Sequence, residues 1–179
     1  MYVTDGDVVR RVLGGEVEAY AILVNRYRDR LGRYALRILG NTQDAEEVLQ
    51  DTFVRAFRSL RNCHDPELFD RWAFKILVNR CRTVGATRGR RERLFVGDEL
   101  ALQNAANFPS EGHAWREEIE KALAELPPDQ REAFILKHVE ELRYEEIADL
   151  TGVGISALKM RVNRACTRMR ELLEGVYRE

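Results

Sequence analysis

The chain has 179 residues, enough for one domain of ordinary size or two small ones, and its 29 Lys and Arg against 30 Asp and Glu leave a net charge of −1. Hydrophobic content of 45% beside 33% charged residues is a globular balance and excludes a disordered chain. No stretch approaches the roughly 18–20 apolar residues of a membrane span, residues 1–11 lack the apolar run of a signal peptide, and Cys63, Cys81 and Cys166 are too scattered for a disulfide framework or a zinc site, which fits a reducing cytoplasm.

Only Pro66, Pro109, Pro127 and Pro128 interrupt the chain, so long stretches are open to helix. From Glu16 to Leu39, Tyr20, Leu23, Val24, Tyr27, Leu31, Tyr34, Ala35 and Ile38 recur every three or four residues, the buried face of an amphipathic helix. Gly40-Asn41-Thr42 breaks it. Asn41 or Thr42 then caps a second helix whose first turn carries Asp44, Glu46 and Glu47, charges suited to a helix N-terminus. Its stripe continues through Val48, Leu49, Phe53, Ala56, Phe57 and Leu60. After a turn over Cys63–Glu67, a third helix carries Phe69, Trp72, Ala73, Ile76, Leu77 and Val84, completing a three-helix first domain.

From Leu94 to Gly112 there is no Lys or Arg, Asp98, Glu99 and Glu111 supply negative charge, and helical periodicity fades, as expected of a linker. Beyond it, Ile119, Ala122, Leu123 and Leu126 mark a helix closed by Pro127-Pro128. A second runs from Asp129 to about Val139, and a short one covers Tyr144–Leu150. A turn over Thr151–Gly154 leads to a last helix from about Ser156, with Leu158, Val162, Ala165, Met169, Leu172 and Val176 on one face. No strand alternation occurs. The expected fold is all-α, in two small helical domains joined by a flexible linker.

The near-zero net charge conceals segregation. Arg71, Lys75, Arg80, Arg82, Arg88, Arg90, Arg91 and Arg93 face a single acid, Glu92, and Lys159, Arg161, Arg164, Arg168 and Arg170 face none. A solvated helix face ordinarily interleaves Glu with Lys and Arg; clusters like these are the footprint of phosphate binding. The first cluster adjoins Phe69, Trp72 and Phe74, aromatics that either pack in the core or stack unpaired bases. The second lies on the latter helix of a helix-turn-helix pattern, where Lys159, Met160, Arg161, Asn163 and Arg164 point away from the apolar stripe. There Asn163 is suited to a base edge and the basic residues to phosphates.

Asp44, Glu47 and Asp51 share a helix face at i, i+3 and i+7. They suit the docking of a basic protein partner; a metal-dependent nucleic-acid enzyme is the alternative, although no His or Lys companion is apparent nearby. His64, His113 and His138 are scattered, and no P-loop, dinucleotide fingerprint or GxSxG motif occurs.

Taken in order, these motifs resemble the extracytoplasmic-function (ECF) group of sigma factors, the bacterial promoter-recognition subunits of RNA polymerase. Asp44-Ala45-Glu46-Glu47-Val48-Leu49-Gln50-Asp51-Thr52-Phe53 looks like the family's region 2.2. Phe69-Asp70-Arg71-Trp72 through Ile76 and Asn79 looks like the promoter-melting segment. Leu126-Pro127 through Arg131, Glu145-Glu146-Ile147-Ala148 and Lys159 through Ala165 are similar to region 4. Three positions depart from the pattern: Thr83 stands where Asp is common, and Ala157 and Met160 where small polar residues are usual.

The resemblance implies a region 2 domain over 1–93, an acidic linker over 94–112 and a region 4 domain over 113–179. It implies core-polymerase binding by Asp44, Glu47, Gln50 and Asp51, to the clamp helices of the largest subunit, with the flap as a further contact. It places Trp72, Lys75, Asn79, Arg80 and Arg82 on the minus-ten element, and Ser156, Lys159, Met160, Arg161, Asn163 and Arg164 on the minus-thirty-five element. The implied partners are core RNA polymerase, promoter DNA and an anti-sigma factor able to hold the protein near the membrane without insertion. No catalytic activity, metal or cofactor is implied. A stand-alone helix-turn-helix regulator is the competing reading, and it needs neither the acidic helix nor the aromatic-basic segment.

Overall fold

The computed structural model describes residues 3–94 and 113–176, the side chains of 88–94, 113, 114, 175 and 176 excepted. Among the described residues the regular structure is entirely helical: α1 (Asp5–Leu13), α2 (Tyr20–Leu39), α3 (Thr42–Arg58), α4 (Phe69–Leu94), α5 (His113–Glu125), α6 (Pro128–Phe134), α7 (Tyr144–Thr151) and α8 (Ile155–Val176). The chain folds as two units, the first built from α1 to α4 and the second from α5 to α8. The linker expected over 94–112 falls, beyond Leu94, outside the described residues.

Helix α1 was not anticipated. It is short and uses Val8, Val9 and Val12, β-branched residues of low helix propensity, as its apolar face. Tertiary packing and capping offset that deficit. The Asp7 amide donates to Thr4 Oγ1 at 3.1 Å and the Thr4 amide to Asp7 Oδ2 at 3.2 Å, a reciprocal capping box. Glu67, from the 3-10 turn Pro66–Leu68, then accepts from the Gly6 amide, Thr4 Oγ1 and Arg10 Nη2. Glycine at position 6 lets the carboxylate come this close: an added Cβ would lie 1.9 Å from Glu67 Oε1 and push that side-chain end aside.

Val8, Val9 and Val12 pack with Ala19, Leu23, Ala56, Leu60, Phe69 and Ala73 in a cluster drawn from all four helices and the connecting turns of the first unit. Buried Asp5 pins α1 to α2 through Arg26 Nη1 and the Tyr27 hydroxyl, both very close donors, while Arg26 Nη2 donates to the Val3 carbonyl at 2.9 Å. The Tyr20 hydroxyl reaches from α2 to the Phe53 carbonyl of α3 at 2.9 Å.

In the second unit α8 packs against α5, α6 and α7, burying Leu158, Val162, Ala165 and Met169. Pro128 opens α6, where its missing N–H leaves no bond unmade. The helix then widens into a π turn over Ile135–Val139, a departure from the single continuous helix expected there. Arg131 Nη2 donates to the Ala124 and Leu126 carbonyls and so ties α6 to the end of α5. Between α7 and α8, Gly152 adopts φ +70°, the left-handed conformation that glycine takes without a Cβ clash.

Candidate functional site

On α3, Asp44 is half-buried and Glu47 and Gln50 are exposed, so the acidic face is open along its first half. Asp51 differs. It is half-buried, accepts from Arg55 Nε at 2.8 Å and lies 2.5 Å from Arg80 Nε of α4. That second contact is a charge pair lacking good hydrogen-bond geometry, since Arg80 Nε finds no aligned acceptor. Burial works against the charge on Asp51, but the hydrogen bond from Arg55 and the charge of Arg80 outweigh it and hold the carboxyl below the ordinary carboxylate range.

Along α4, Lys75 and Asn79 are exposed at i and i+4, and half-buried Arg82 continues their row. Arg80 faces the other way, toward Asp51. The aromatics beside this row serve mainly as packing. Phe69 is fully buried, and Phe74 is buried edge-on against Tyr34, ring centroids 4.9 Å apart. Trp72 is half-buried, packed on the core with its ring 6.0 Å from Phe69, and it alone of the three keeps appreciable surface. Thr83 is exposed, and its hydroxyl donates to the Asn79 carbonyl at 2.8 Å, so α4 runs through this departure without a break. The side chains of Arg88, Arg90, Arg91 and Arg93 lie outside the described residues.

In the second unit, α7, the Gly152 turn and α8 form the anticipated helix-turn-helix. Ser156, Lys159, Met160, Asn163 and Arg164 are exposed on α8, Met160 to 54%. Arg161 is half-buried and pairs at 3.3 Å with Asp129 at the start of α6. Sequence reading gave no role to Lys137 or Tyr144, yet the Nζ of Lys137 lies 5.1 Å and that of Lys159 5.8 Å from the centroid of the Tyr144 ring. No helical periodicity brings Lys137, from the π turn, to α8; only the tertiary fold does.

The site residues thus sort into three sets, exposed or half-buried, on α3, α4 and α8, with Asp51, Arg80 and Arg161 engaged internally. Among the described residues, no group of three or more His, Cys, Asp and Glu is placed to hold a metal ion, and no helix is long and apolar enough to cross a membrane.

Residues 23–91 match the family model for sigma-70 region 2 and residues 116–169 that for sigma-70 region 4, together more than half of the chain. The ECF RNA polymerase sigma factor SigE of Mycolicibacterium smegmatis is 33% identical over 84% of this chain, which spans 60% of that relative's length. The RNA polymerase sigma-H factor of Pseudomonas aeruginosa is 29% identical over 98% of this chain and 96% of its own. Among solved structures, the Bartonella quintana sigma factor RpoE, in complex with the anti-sigma factor NepR, superposes with a TM-score of 0.69 at 29% identity, covering 87% of this chain and 96% of that one. Two region models in the right order, relatives matched over most of this chain and the helical architecture agree: the chain belongs to the sigma-70 family, in its extracytoplasmic-function group.

Proposed function

We propose that this sigma factor docks on core RNA polymerase through the exposed face of α3 and directs initiation at promoters whose minus-ten and minus-thirty-five elements meet α4 and α8. The observation that carries this reading is the division of labour between the two units. Lys75 and Asn79 are exposed on the first, whereas Lys159, Asn163 and Arg164 are exposed on the second. Single strands are held by stacking and phosphate contacts, for which the half-exposed Trp72 and the Lys75–Asn79–Arg82 row are suited. Duplex DNA is gripped through phosphates while polar side chains read base edges, which suits Lys159 and Arg164 around Asn163.

On this reading 1–93, 94–112 and 113–179 serve as region 2, linker and region 4. Glu47, Gln50 and Asp44 meet the clamp helices of the largest polymerase subunit, with Asp51 contributing from the edge of the face, and region 4 meets the flap. The protein acts in the cytoplasm without catalytic activity, metal or cofactor of its own. Its regulator is an anti-sigma factor, the kind of partner with which the Bartonella protein was solved.

Transcription from two templates, a closed duplex promoter and one with a pre-melted minus-ten bubble, tests the assignment. Replacing Lys75 and Asn79 by Ala should impair the closed template more than the bubble, while replacing Lys159 and Arg164 should lower occupancy of both. A bubble that rescues the Lys159/Arg164 variant alone reverses the two roles. Tight specific binding of the isolated protein to a promoter, without polymerase, would instead favour a stand-alone regulator.

A further inference from the structure

Glu67 stands between α1 and α4. It belongs to the 3-10 turn Pro66–Leu68, and α4 begins at the next residue but one, Phe69, already in helical conformation. No slack separates the turn from the helix, so whatever fixes Glu67 also fixes the first turns of α4. We propose that Glu67 is a positioning residue for promoter opening: clasped by α1, it sets the start of α4 so that Trp72, Lys75 and Asn79 present one face to the unpaired strand. This rests on the reading of α4 as the strand-holding helix, and it gives α1 a part in opening without a DNA contact of its own.

One carboxylate gathers three donors from α1 and its cap: the Gly6 amide at 3.3 Å, Thr4 Oγ1 at 3.2 Å and Arg10 Nη2 at 3.3 Å. The Gly6 amide is a first-turn donor that no carbonyl of its own helix reaches. On its other side the turn is equally tied. The Glu67 amide donates to Asp65 Oδ1 at 3.1 Å, the Leu68 amide to the Asp65 carbonyl at 3.0 Å, and Cys63 Sγ to that same carbonyl at 3.4 Å. Beneath, Phe69 is fully buried in the cluster that holds Val8, Val9 and Val12, and Trp72 and Ile76 rest partly buried against that cluster. Helix α1 therefore supports Trp72 from the core side, while Glu67 fixes where the helix that carries it starts.

Neither stability nor direct contact with DNA accounts for the clasp. The Arg10 and Glu67 side chains are 58% and 50% exposed, and exposed pairs of this kind contribute little to folding free energy. A carboxylate also repels the phosphates of a strand, so Glu67 is unsuited to grip one. Three directional bonds on one group do define a place and an angle. Trp72, Lys75 and Asn79 follow at i, i+3 and i+7 on one face of α4, the last two exposed. A rotation at the start of the helix therefore carries all three together, away from or toward the strand.

The test uses holoenzyme, core polymerase plus the full chain, on a closed duplex promoter and on the same promoter with a pre-melted minus-ten bubble. Glu67→Ala should lower initiation from the closed template about fivefold, the worth of one net hydrogen bond, and leave the bubble near the parent rate. Lost folding lowers both templates together, so the ratio between them separates positioning from stability. Gly6→Ala should reproduce that ratio from the other side of the clasp, since its Cβ meets the ends of the Glu67 and Arg10 side chains. The double variant should be no worse than Glu67→Ala alone. A parent ratio in Glu67→Ala overturns the proposal, and additive losses in the double variant overturn it by showing that Glu67 acts elsewhere. Glu67→Gln removes the charge and keeps one accepting oxygen; faster initiation there would mean relief of repulsion from DNA and would also overturn the clasp. Should Glu67→Ala not fold, Gly6→Ala decides alone. The Lys75→Ala/Asn79→Ala pair tests the underlying reading. An unchanged ratio in that pair takes the strand away from α4 and the proposal falls with it, whereas a ratio lowered there but not in the Glu67 and Gly6 variants overturns the clasp alone.

Discussion

Asp51 carries the clearest residue-scale consequence. Its carboxyl is held below the ordinary range in the folded protein, despite burial, by Arg55 and Arg80, so it binds a proton less readily folded than unfolded. The stabilisation is present above the unfolded value, about 3.9, and is lost as pH falls through the lower folded value. Asp7, held down by Arg10, and Glu16, by Arg11, act in the same sense. Thermal melting should therefore show stability falling below about pH 4, less steeply in Asp51→Asn; identical acid profiles would remove Asp51 from that response. A second prediction concerns Asp5, buried against Arg26 and Tyr27. Asp5→Ala leaves two donors without their acceptor and should destabilise the first unit by about 3 kcal/mol. In a Trp115→Phe background, urea unfolding followed by Trp72 fluorescence isolates that unit, and a change within experimental scatter would show the clamp to be dispensable. Neither Asp51 nor Arg161 betrayed its internal partner in the sequence. The spacing of Asp44, Glu47 and Asp51 predicts a shared face, but Arg80 and Asp129 reach Asp51 and Arg161 only through packing between helices.

At the scale of elements, legibility followed the length of the apolar repeat. Helices α2, α3, α4 and α8 carry stripes of several turns and were each anticipated, with starts displaced by a few residues at most. The turn between α7 and α8 was also anticipated, because a Gly-containing break between two amphipathic segments leaves few alternatives. Helix α1 escaped because three valines beside Gly6 read as weak helix, while its anchors, Glu67 and Arg26, are distant in sequence. The aromatic-basic segment was legible as chemistry but ambiguous as geometry: burial of Phe69 and Phe74 leaves Trp72 as the only candidate among the three for stacking on a base. Gly152 offers the sharpest test at this scale. Gly152→Ala forces a Cβ into the left-handed region at about 1–2 kcal/mol and should lower the melting point of the second unit, although nothing lies within 4 Å of the new atom. An unchanged melting point would mean that the turn shifts out of that conformation freely.

Across the whole molecule, a net charge of −1 coexists with acidic and basic faces on separate helices. Such a chain should bind duplex DNA weakly by itself in a gel shift, and more tightly once core polymerase covers its acidic face. Glu47 is exposed and stands apart from the Asp51–Arg80 pair, so Glu47→Lys should weaken binding to core polymerase about tenfold or more, about 1.4 kcal/mol, with helix content unchanged by circular dichroism. Unchanged affinity would take this part of α3 out of the interface.

The clasp of Glu67 on α1 also sets an order of events during synthesis. Gly6 and Glu67 are 61 residues apart, and Phe69, against which the valines of α1 pack, comes later still. At about 5–20 residues per second, the ribosome needs roughly 3–12 seconds to make the partner after α1 has been translated. Throughout that interval Val8, Val9 and Val12 have no completed core to enter. The first helix to be made therefore waits longest among its neighbours to be locked, its valine face only partly partnered until Phe69 follows.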